Sequence, residues 1–163
     1  MAGTPGPMQC MTVWRGGAAF EHVADSQQRF VTDARLEGHE SQPRQGPTPM
    51  ELLLGAVAGC TGIDLVNILG TMRIAVRTIH IVSEGERRES HPRAFRRIHL
   101  LYEVETDPPD PEKVRRAVEL SAGKYCSVAA TLVGTAEMGY TLRCHGQEFE
   151  GTIPGVGQGT VTE

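Results

Sequence analysis

One segment, residues 48–72, restricts the fold more than any other part of the chain. Within it, the run LLLGAVAGCTGIDLVNIL is apolar almost all round. A helix without a polar face is buried on every side, in a protein core or in a membrane. Because Glu51, Asp64 and Asn67 interrupt the segment and no second run of this kind follows, we expect a long, buried central helix and no membrane partner.

The start of this helix carries a capping pattern. Thr48 fits the N-cap, Pro49 the first helical position and Glu51 the third. In such a capping box, the hydroxyl and the carboxylate each accept a backbone N–H that the helix itself leaves unpaired. The pattern therefore predicts that the helix begins at Pro49.

Shorter elements surround the central helix. Three strands are predicted before it, and two strands joined by a charged hairpin follow it. Asp110 and Pro111 then begin a second helix, Cys126 lies in a short third helix, and a last strand ends at Cys144. The order β-β-β-α-β-β-α-α-β is typical of an α+β fold with a largely antiparallel sheet. The predicted strands are 11–14, 18–24, 28–33, 78–86, 95–105 and 136–144.

Length and composition predict one domain and limit its partners. The chain has 163 residues and a formal net charge of −4, which argues against a nucleic-acid partner because such partners need a concentrated basic face. We expect a flexible N-terminal segment (1–9), a single domain (10–144) and a loosely ordered, Gly-rich tail (145–163). No signal-peptide pattern begins the chain, so a cytoplasmic location is expected.

Four cysteines carry the candidate chemistry. In a reducing compartment they serve catalysis, metal binding or packing rather than a disulfide framework. Cys10 and Cys144 lie in strands near the chain ends, where packing is the simplest explanation. Cys60 lies in the central helix and Cys126 in the third helix. Because free cysteine is also a common buried small hydrophobe, the residues alone leave this pair either reactive or inert.

A reactive cysteine must ionise, and an ordinary thiol with a pKa of about 8.5 is mostly protonated at neutral pH. Cys60 lies about 16 Å along the helix from Pro49, too far for the helix dipole to stabilise a thiolate. A neighbouring cation is needed instead. The upstream candidates are Arg15, Arg35 and Arg44.

The sequence predicts neither a cofactor nor a bound metal. Its six histidines are scattered, and no C-x-x-C or H-x-x-x-H spacing occurs, so a structural zinc site is not expected. No G-x-S-x-G elbow or phosphate-binding loop is present either.

Two cysteine-containing motifs resemble the OsmC/Ohr family of osmotically inducible and organic hydroperoxide resistance proteins. They are PTPMELLLGAVAGC at residues 47–60 and EKVRRAVELSAGKYCSV at residues 112–128, and the resemblance extends over about residues 11–142. It implies an intertwined, obligate homodimer in which two sheets wrap around central helices from both chains. Such a dimer would cover the apolar helix.

The resemblance also implies a cofactor-free thiol peroxidase. Cys60 would attack an organic hydroperoxide and become a sulfenic acid, and Cys126 would condense with it to a disulfide. A dithiol reductant, such as a lipoyl group, would then reset the pair. Arg35 corresponds to the loop arginine of the OsmC branch and would activate the thiolate.

One family position differs. In the family, a glutamate directly follows the Asn-Pro of the helix start and pairs with the activating arginine, whereas this chain has Met50 there and its carboxylate at Glu51. A shift of one residue rotates a side chain by about 100°, so Glu51 is either that acid or only the capping partner of Thr48. Two alternatives stay open: a redox sensor or small-molecule-binding dimer, and a structural homodimer with inert cysteines.

Overall fold

The computed structural model describes residues 6–38 and 43–154. It confirms the predicted α+β class and the order of elements, with one strand added at the end. A π-helical turn, Ser121–Tyr125, joins the second and third helices. In chain order the elements are β1 (Cys10–Trp14), β2 (Phe20–Ala24), β3 (Arg29–Thr32), α1 (Pro49–Thr71), β4 (Ala75–Arg87), β5 (Phe95–Asp107), α2 (Pro111–Leu120), α3 (Ser127–Leu132), β6 (Glu137–Cys144) and β7 (Gln147–Ile153).

The chain packs as two compact units, Met1–Leu53 and Leu54–Glu163. The first contains an antiparallel sheet in the order β1-β2-β3. The second contains a sheet in the order β4-β5-β6-β7, in which β5 and β6 are parallel and the other neighbours are antiparallel. The predicted single domain, 10–144, stays a prediction.

Helix α1 begins where the capping pattern predicts. The backbone N–H of Thr48 donates to Glu51 Oε2 at 2.6 Å, and the N–H of Glu51 donates to Thr48 Oγ1 at 3.2 Å. Pro49 is the first helical residue. The capping box is therefore confirmed.

Helix α1 is buried along one face of the described chain. Ile63 and Val66 on its other faces are 66% and 52% exposed, so burial on every side is not reached within one chain. By length and composition α1 could cross a membrane, but core helices of water-soluble proteins pass the same test, so neither property assigns it to a bilayer. The buried residues recur every four positions, as one helix face requires: Val57, Thr61, Leu65 and Leu69.

The core of the second unit brings α1 against the four-stranded sheet. Ser83 Oγ on β4 donates to the carbonyl of Leu54 at 3.0 Å. At Gly62, a Cβ would lie 3.2 Å from Ile81 Cδ1, so the missing side chain allows a close approach. Alternate residues of β5 point into this core, as strand geometry dictates: Ile98, Leu100, Tyr102 and Val104.

The prediction of a loose tail from residue 145 is wrong for Gln147–Ile153, which forms β7 antiparallel to β6. His145 and Gly146 both adopt positive φ, at 48° and 78°, which suits a tight hairpin between the two strands. Gly151 lies under the ring of Tyr140, because a Cβ there would be 2.5 Å from Tyr140 Cε1. Glycine at this position serves close packing rather than flexibility. Residues 1–5 and 155–163 of the two predicted end segments lie outside the described residues.

Candidate thiol site

Cys60 and Cys126 come together in the second unit although 66 positions separate them in the sequence. Cys60 Sγ, Cys126 Sγ and a carboxylate oxygen of Asp64 all lie within 4.8 Å of one another. Cys60 and Asp64 share a face of α1 because they are four residues apart. Both thiols are free. The structure therefore juxtaposes the two cysteines as expected, while their reaction stays a prediction.

Cys126 is held in place at the start of α3. It is the N-cap of this helix, and its Sγ accepts a hydrogen bond from the backbone N–H of Ala129 at 3.3 Å. Its own N–H donates to the carbonyl of Ser121 at 2.8 Å, which closes the π-helical turn. The Cys126 side chain is consequently fixed from both sides, and the residue is only 2% exposed.

Burial raises the pKa of the Cys126 thiol above its ordinary value, and the neighbouring Cys60 thiol raises the pKa further. The Ala129 N–H acts in the opposite direction, because it favours the thiolate, but burial is the stronger influence. Cys126 is therefore protonated at neutral pH.

Asp64 is a member of the site that the sequence analysis did not single out. Its Oδ2 accepts a hydrogen bond from Ser121 Oγ at 2.9 Å, and Ser121 is fully buried. This bond ties α1 to the π-helical turn that positions Cys126. In the sequence, this carboxylate is only a polar interruption of an apolar helix, because its partner Ser121 lies far along the chain.

Tyr102 of β5 lies beside the same groups. Burial raises the pKa of this phenol well above its ordinary value, and electrostatic interactions with Cys126 and Asp64 act in the same direction. Its hydroxyl has no hydrogen-bond partner in the part of the chain that the structure describes. The nearby side chain of Thr61 lowers the pKa of this phenol, against the effect of burial. The Thr61 hydroxyl donates to two main-chain carbonyls of α1, at 3.1 Å each, and no hydrogen bond of ordinary geometry joins it to Tyr102. Tyr102 is therefore neutral and keeps its hydrogen-bonding capacity beside the thiols.

Glu51 belongs to the first unit and serves the helix start. Its Oε2 also lies 3.1 Å from Nη1 of Arg44. The pKa of the Glu51 carboxyl is lowered, mainly by the hydrogen bond from the backbone N–H of Thr48 and by that with the Thr48 side chain. The guanidinium of Arg44 lowers it further. Glu51 is thus the capping partner of Thr48, and the arginine that it contacts is Arg44 rather than Arg35.

Arg35 lies in the exposed loop after β3 of the first unit. With Arg15 and Arg44 it lines a cavity of about 340 Å³. Each of those two arginines pairs with a glutamate, whereas Arg35 forms no ion pair or hydrogen bond with any residue in 6–38 or 43–154. Activation of Cys60 by Arg35 stays a prediction, as does a catalytic role for Glu51.

The thiol site can support two kinds of chemistry. A disulfide requires the sulfur atoms at about 2.05 Å, so Cys60 Sγ and Cys126 Sγ need to approach by at most about 3 Å. Two thiols and a carboxylate are also ligands for a thiophilic metal, and Cys60, Asp64 and Cys126 are the one cluster of three potential ligands within the described ranges.

Comparison with known proteins agrees with this geometry. The model of the OsmC-like protein family matches residues 38–140, and Protein YhfA of Escherichia coli strain K12 is 37% identical over 77% of this chain and 89% of its own length. The OsmC-like protein of Mycoplasma pneumoniae superposes with a TM-score of 0.73 at 18% identity, over 86% of this chain and 98% of that structure. For the organic hydroperoxide resistance protein OhrB of Bacillus subtilis, the TM-score is 0.60 at 19% identity, over 85% and 98% of the two chains. The resemblance carried by the two cysteine motifs is confirmed, and the chain belongs to the OsmC-like protein family.

Proposed function

We propose that the protein is a thiol-dependent peroxidase that reduces organic hydroperoxides with Cys60 and Cys126. One observation carries the proposal: two free sulfur atoms from distant parts of the sequence lie within 4.8 Å of each other. Membership in the OsmC-like family supports a peroxidase or redox role. The name of the structurally similar OhrB points to organic hydroperoxides as the substrate class.

In the first step, the Cys60 thiolate attacks the distal oxygen of the hydroperoxide. The O–O bond breaks, an S–O bond forms, and the leaving alkoxide takes a proton to become an alcohol, so Cys60 becomes a sulfenic acid. Cys60 is the better nucleophile of the pair because it is partly exposed, whereas Cys126 is buried and protonated.

In the second step, the sulfur of Cys126 attacks the sulfenic sulfur of Cys60. An S–S bond forms, the S–O bond breaks, and water leaves. A dithiol reductant of the lipoyl type then reduces the disulfide by thiol–disulfide exchange and leaves as its own disulfide. The reducing cytoplasm is the location that we propose for this cycle.

The exposed face of α1 supports a homodimer as the working form. Ala58, Gly59 and Gly62 on α1 line an apolar groove with Ile79 and Ile81 of β4. Ile63 and Val66 beside the groove are exposed in the single chain. A second copy that packs its own helix here would remove this apolar surface from water, in keeping with the family resemblance.

The test is consumption of cumene hydroperoxide by the reduced protein, with dihydrolipoamide as the reductant. We expect Cys60→Ser to reduce turnover to the rate without protein. Cys126→Ser, oxidised in the absence of the dithiol, should consume one equivalent and hold a sulfenic acid on Cys60 that dimedone labels. Cys10→Ser is the matched control, because Cys10 is exposed and lies in the first unit. Full turnover by the Cys60→Ser variant would refute the mechanism.

A redox sensor that oxidises slowly is the second candidate. It is favoured by Met50 at the position of the family glutamate and by the use of Glu51 as a capping partner. Intact mass after one equivalent of peroxide separates the two functions. Rapid loss of two mass units, from a Cys60–Cys126 disulfide, supports the peroxidase, and slow oxidation without catalytic turnover supports the sensor.

A further inference from the structure

We propose that Cys60, Asp64 and Cys126 bind a thiophilic divalent cation, with Zn²⁺ as the best match, and that they do so only while both cysteines are reduced. The site goes beyond the proposed peroxidase function and depends on that function only for the competition with peroxide. Its donors are two sulfur atoms and one carboxylate oxygen, all within 4.8 Å of one another.

The spacing of the donors is close to that of a tetrahedral zinc site. With Zn–S bonds of about 2.3 Å and Zn–O bonds of about 2.0–2.2 Å, ligand atoms around one ion lie roughly 3.5–3.8 Å apart. The donor atoms here need to approach one another by no more than about 1.3 Å, which side-chain rotation can supply. Three protein ligands leave the fourth position for water.

Neighbouring residues already orient the donors. Ser121 Oγ donates to Asp64 Oδ2, which leaves the other carboxylate oxygen for a metal. The N–H of Ala129 fixes the Cys126 sulfur. The hydroxyl of Tyr102, which interacts electrostatically with Cys126 and Asp64, is a further polar group beside these donors. Hydrogen bonds to the ligands of this kind are the usual support of a metal site.

Accessibility and charge also fit a cation. Cys60 and Asp64 are partly exposed and Cys126 is buried, so an ion can enter from one side and lose part of its water shell. Binding releases one proton from each thiol, after which two thiolates and one carboxylate hold the divalent cation with a net charge of −1. The negative charge of Asp64 favours this complex.

Metal binding and peroxide reduction exclude each other. A Cys60–Cys126 disulfide removes both thiolate ligands, and a bound cation occupies the electron pairs with which Cys60 would attack a peroxide. The cation would therefore protect the reduced pair and inhibit turnover. Local spacing in the sequence did not show this site, because two ligands lie on α1 and the third lies 62 positions after Asp64.

The experiment titrates the reduced full-length protein with Co²⁺, a spectroscopic substitute for zinc. We expect one equivalent to bind, with sulfur-to-cobalt charge-transfer absorption and the intense visible bands of tetrahedral cobalt. Zn²⁺ should displace it. Cys60→Ser and Cys126→Ser should each weaken binding and reduce the charge-transfer absorption, Asp64→Asn should weaken binding at least about tenfold, and Ser121→Ala about tenfold. Cys10→Ser is the control and should bind as the unmodified chain does.

Unchanged cobalt affinity in Asp64→Asn or Cys126→Ser, or an octahedral spectrum without thiolate absorption, would overturn the site. Oxidation of the unmodified protein with diamide gives a test that does not depend on how a variant folds: binding should disappear and return with a dithiol. Retained binding by the Cys60–Cys126 disulfide overturns the inference. Cobalt binding without consumption of cumene hydroperoxide supports the metal site and refutes the proposed function. Consumption of cumene hydroperoxide without cobalt binding supports the proposed function and refutes the metal site.

Discussion

The buried hydroxyl of Tyr102 leads to an unusual prediction: removing it in Tyr102→Phe should stabilise the protein. Tyr102 is fully buried, and its hydroxyl forms no hydrogen bond of ordinary geometry with any described residue, although the side chain of Thr61 lies close enough to lower its pKa. An unpaired buried polar group costs about 1–3 kcal/mol. Phenylalanine keeps the ring and removes the hydroxyl, so the free energy of unfolding should rise by about 1 kcal/mol or more. In a chain of this size that corresponds to about 2–4 °C in Tm per kcal/mol.

Tyr140→Phe is the matched control. The two rings meet edge to face with centroids 6.4 Å apart, and Tyr140 is only 3% exposed. Its hydroxyl, however, donates to Glu119 Oε1 at 3.3 Å. Removing that bond should lower the free energy of unfolding by about 1 kcal/mol, so the two variants should shift in opposite directions.

Urea unfolding of the reduced protein, followed by circular dichroism, measures both changes. A loss of stability in Tyr102→Phe equal to that in Tyr140→Phe would show that the Tyr102 hydroxyl has a partner in solution, and would refute the reasoning. A rise in stability together with a fall in peroxide turnover or cobalt affinity would show that the Tyr102 hydroxyl serves the thiol site at a cost in stability.

Two further predictions concern the exposed face of α1 and the thiol of Cys126. No atom lies within 4 Å of a Cβ built at Gly59, so Gly59→Ala should stabilise a lone chain by about 1 kcal/mol; if the proposed dimer packs on this face, the methyl group should instead weaken it, and unfolding midpoints at several protein concentrations distinguish the two results. Because the pKa of Cys126 is raised, its thiolate fraction and the rate of disulfide formation should increase about tenfold per pH unit between about pH 7 and pH 9. A rate that levels off near the pKa of an ordinary thiol, seen in stopped-flow oxidation, would contradict this second prediction.

Local physical chemistry accounts for the parts of the fold that the sequence predicts well. The start of α1 depends on Thr48 and Glu51, which are neighbours in sequence, and most strands follow the alternation of their own side chains. The sequence does not predict strand β7, which contains Gly151. This glycine has no side chain and so lets the ring of Tyr140 on the adjacent strand pack closely against it. A glycine that serves packing cannot be distinguished from a flexible one without knowledge of its neighbour.

The thiol site also contains residues that the sequence predicts and residues that it does not. The cysteine motifs predicted that Cys60 and Cys126 would meet, and the structure places them together. The sequence does not single out Asp64, because its hydrogen-bond partner Ser121 lies 57 positions further along the chain, in the π-helical turn. The sequence allows Glu51 two roles, and its contacts with Thr48 and Arg44 support the capping role.

The electrostatics of the site connect the two proposals. Opposite charges attract each other more strongly in a partly buried site than in water, so the carboxylate of Asp64 beside the two sulfur atoms favours a positive charge at this site. An arginine, with Arg35 as the predicted candidate, would supply it and leave the sulfur free to attack a peroxide. A divalent cation would supply it by binding both sulfurs and preventing that attack. Under the two proposals, an arginine beside Asp64 would therefore allow peroxide reduction, whereas a bound metal ion would prevent it.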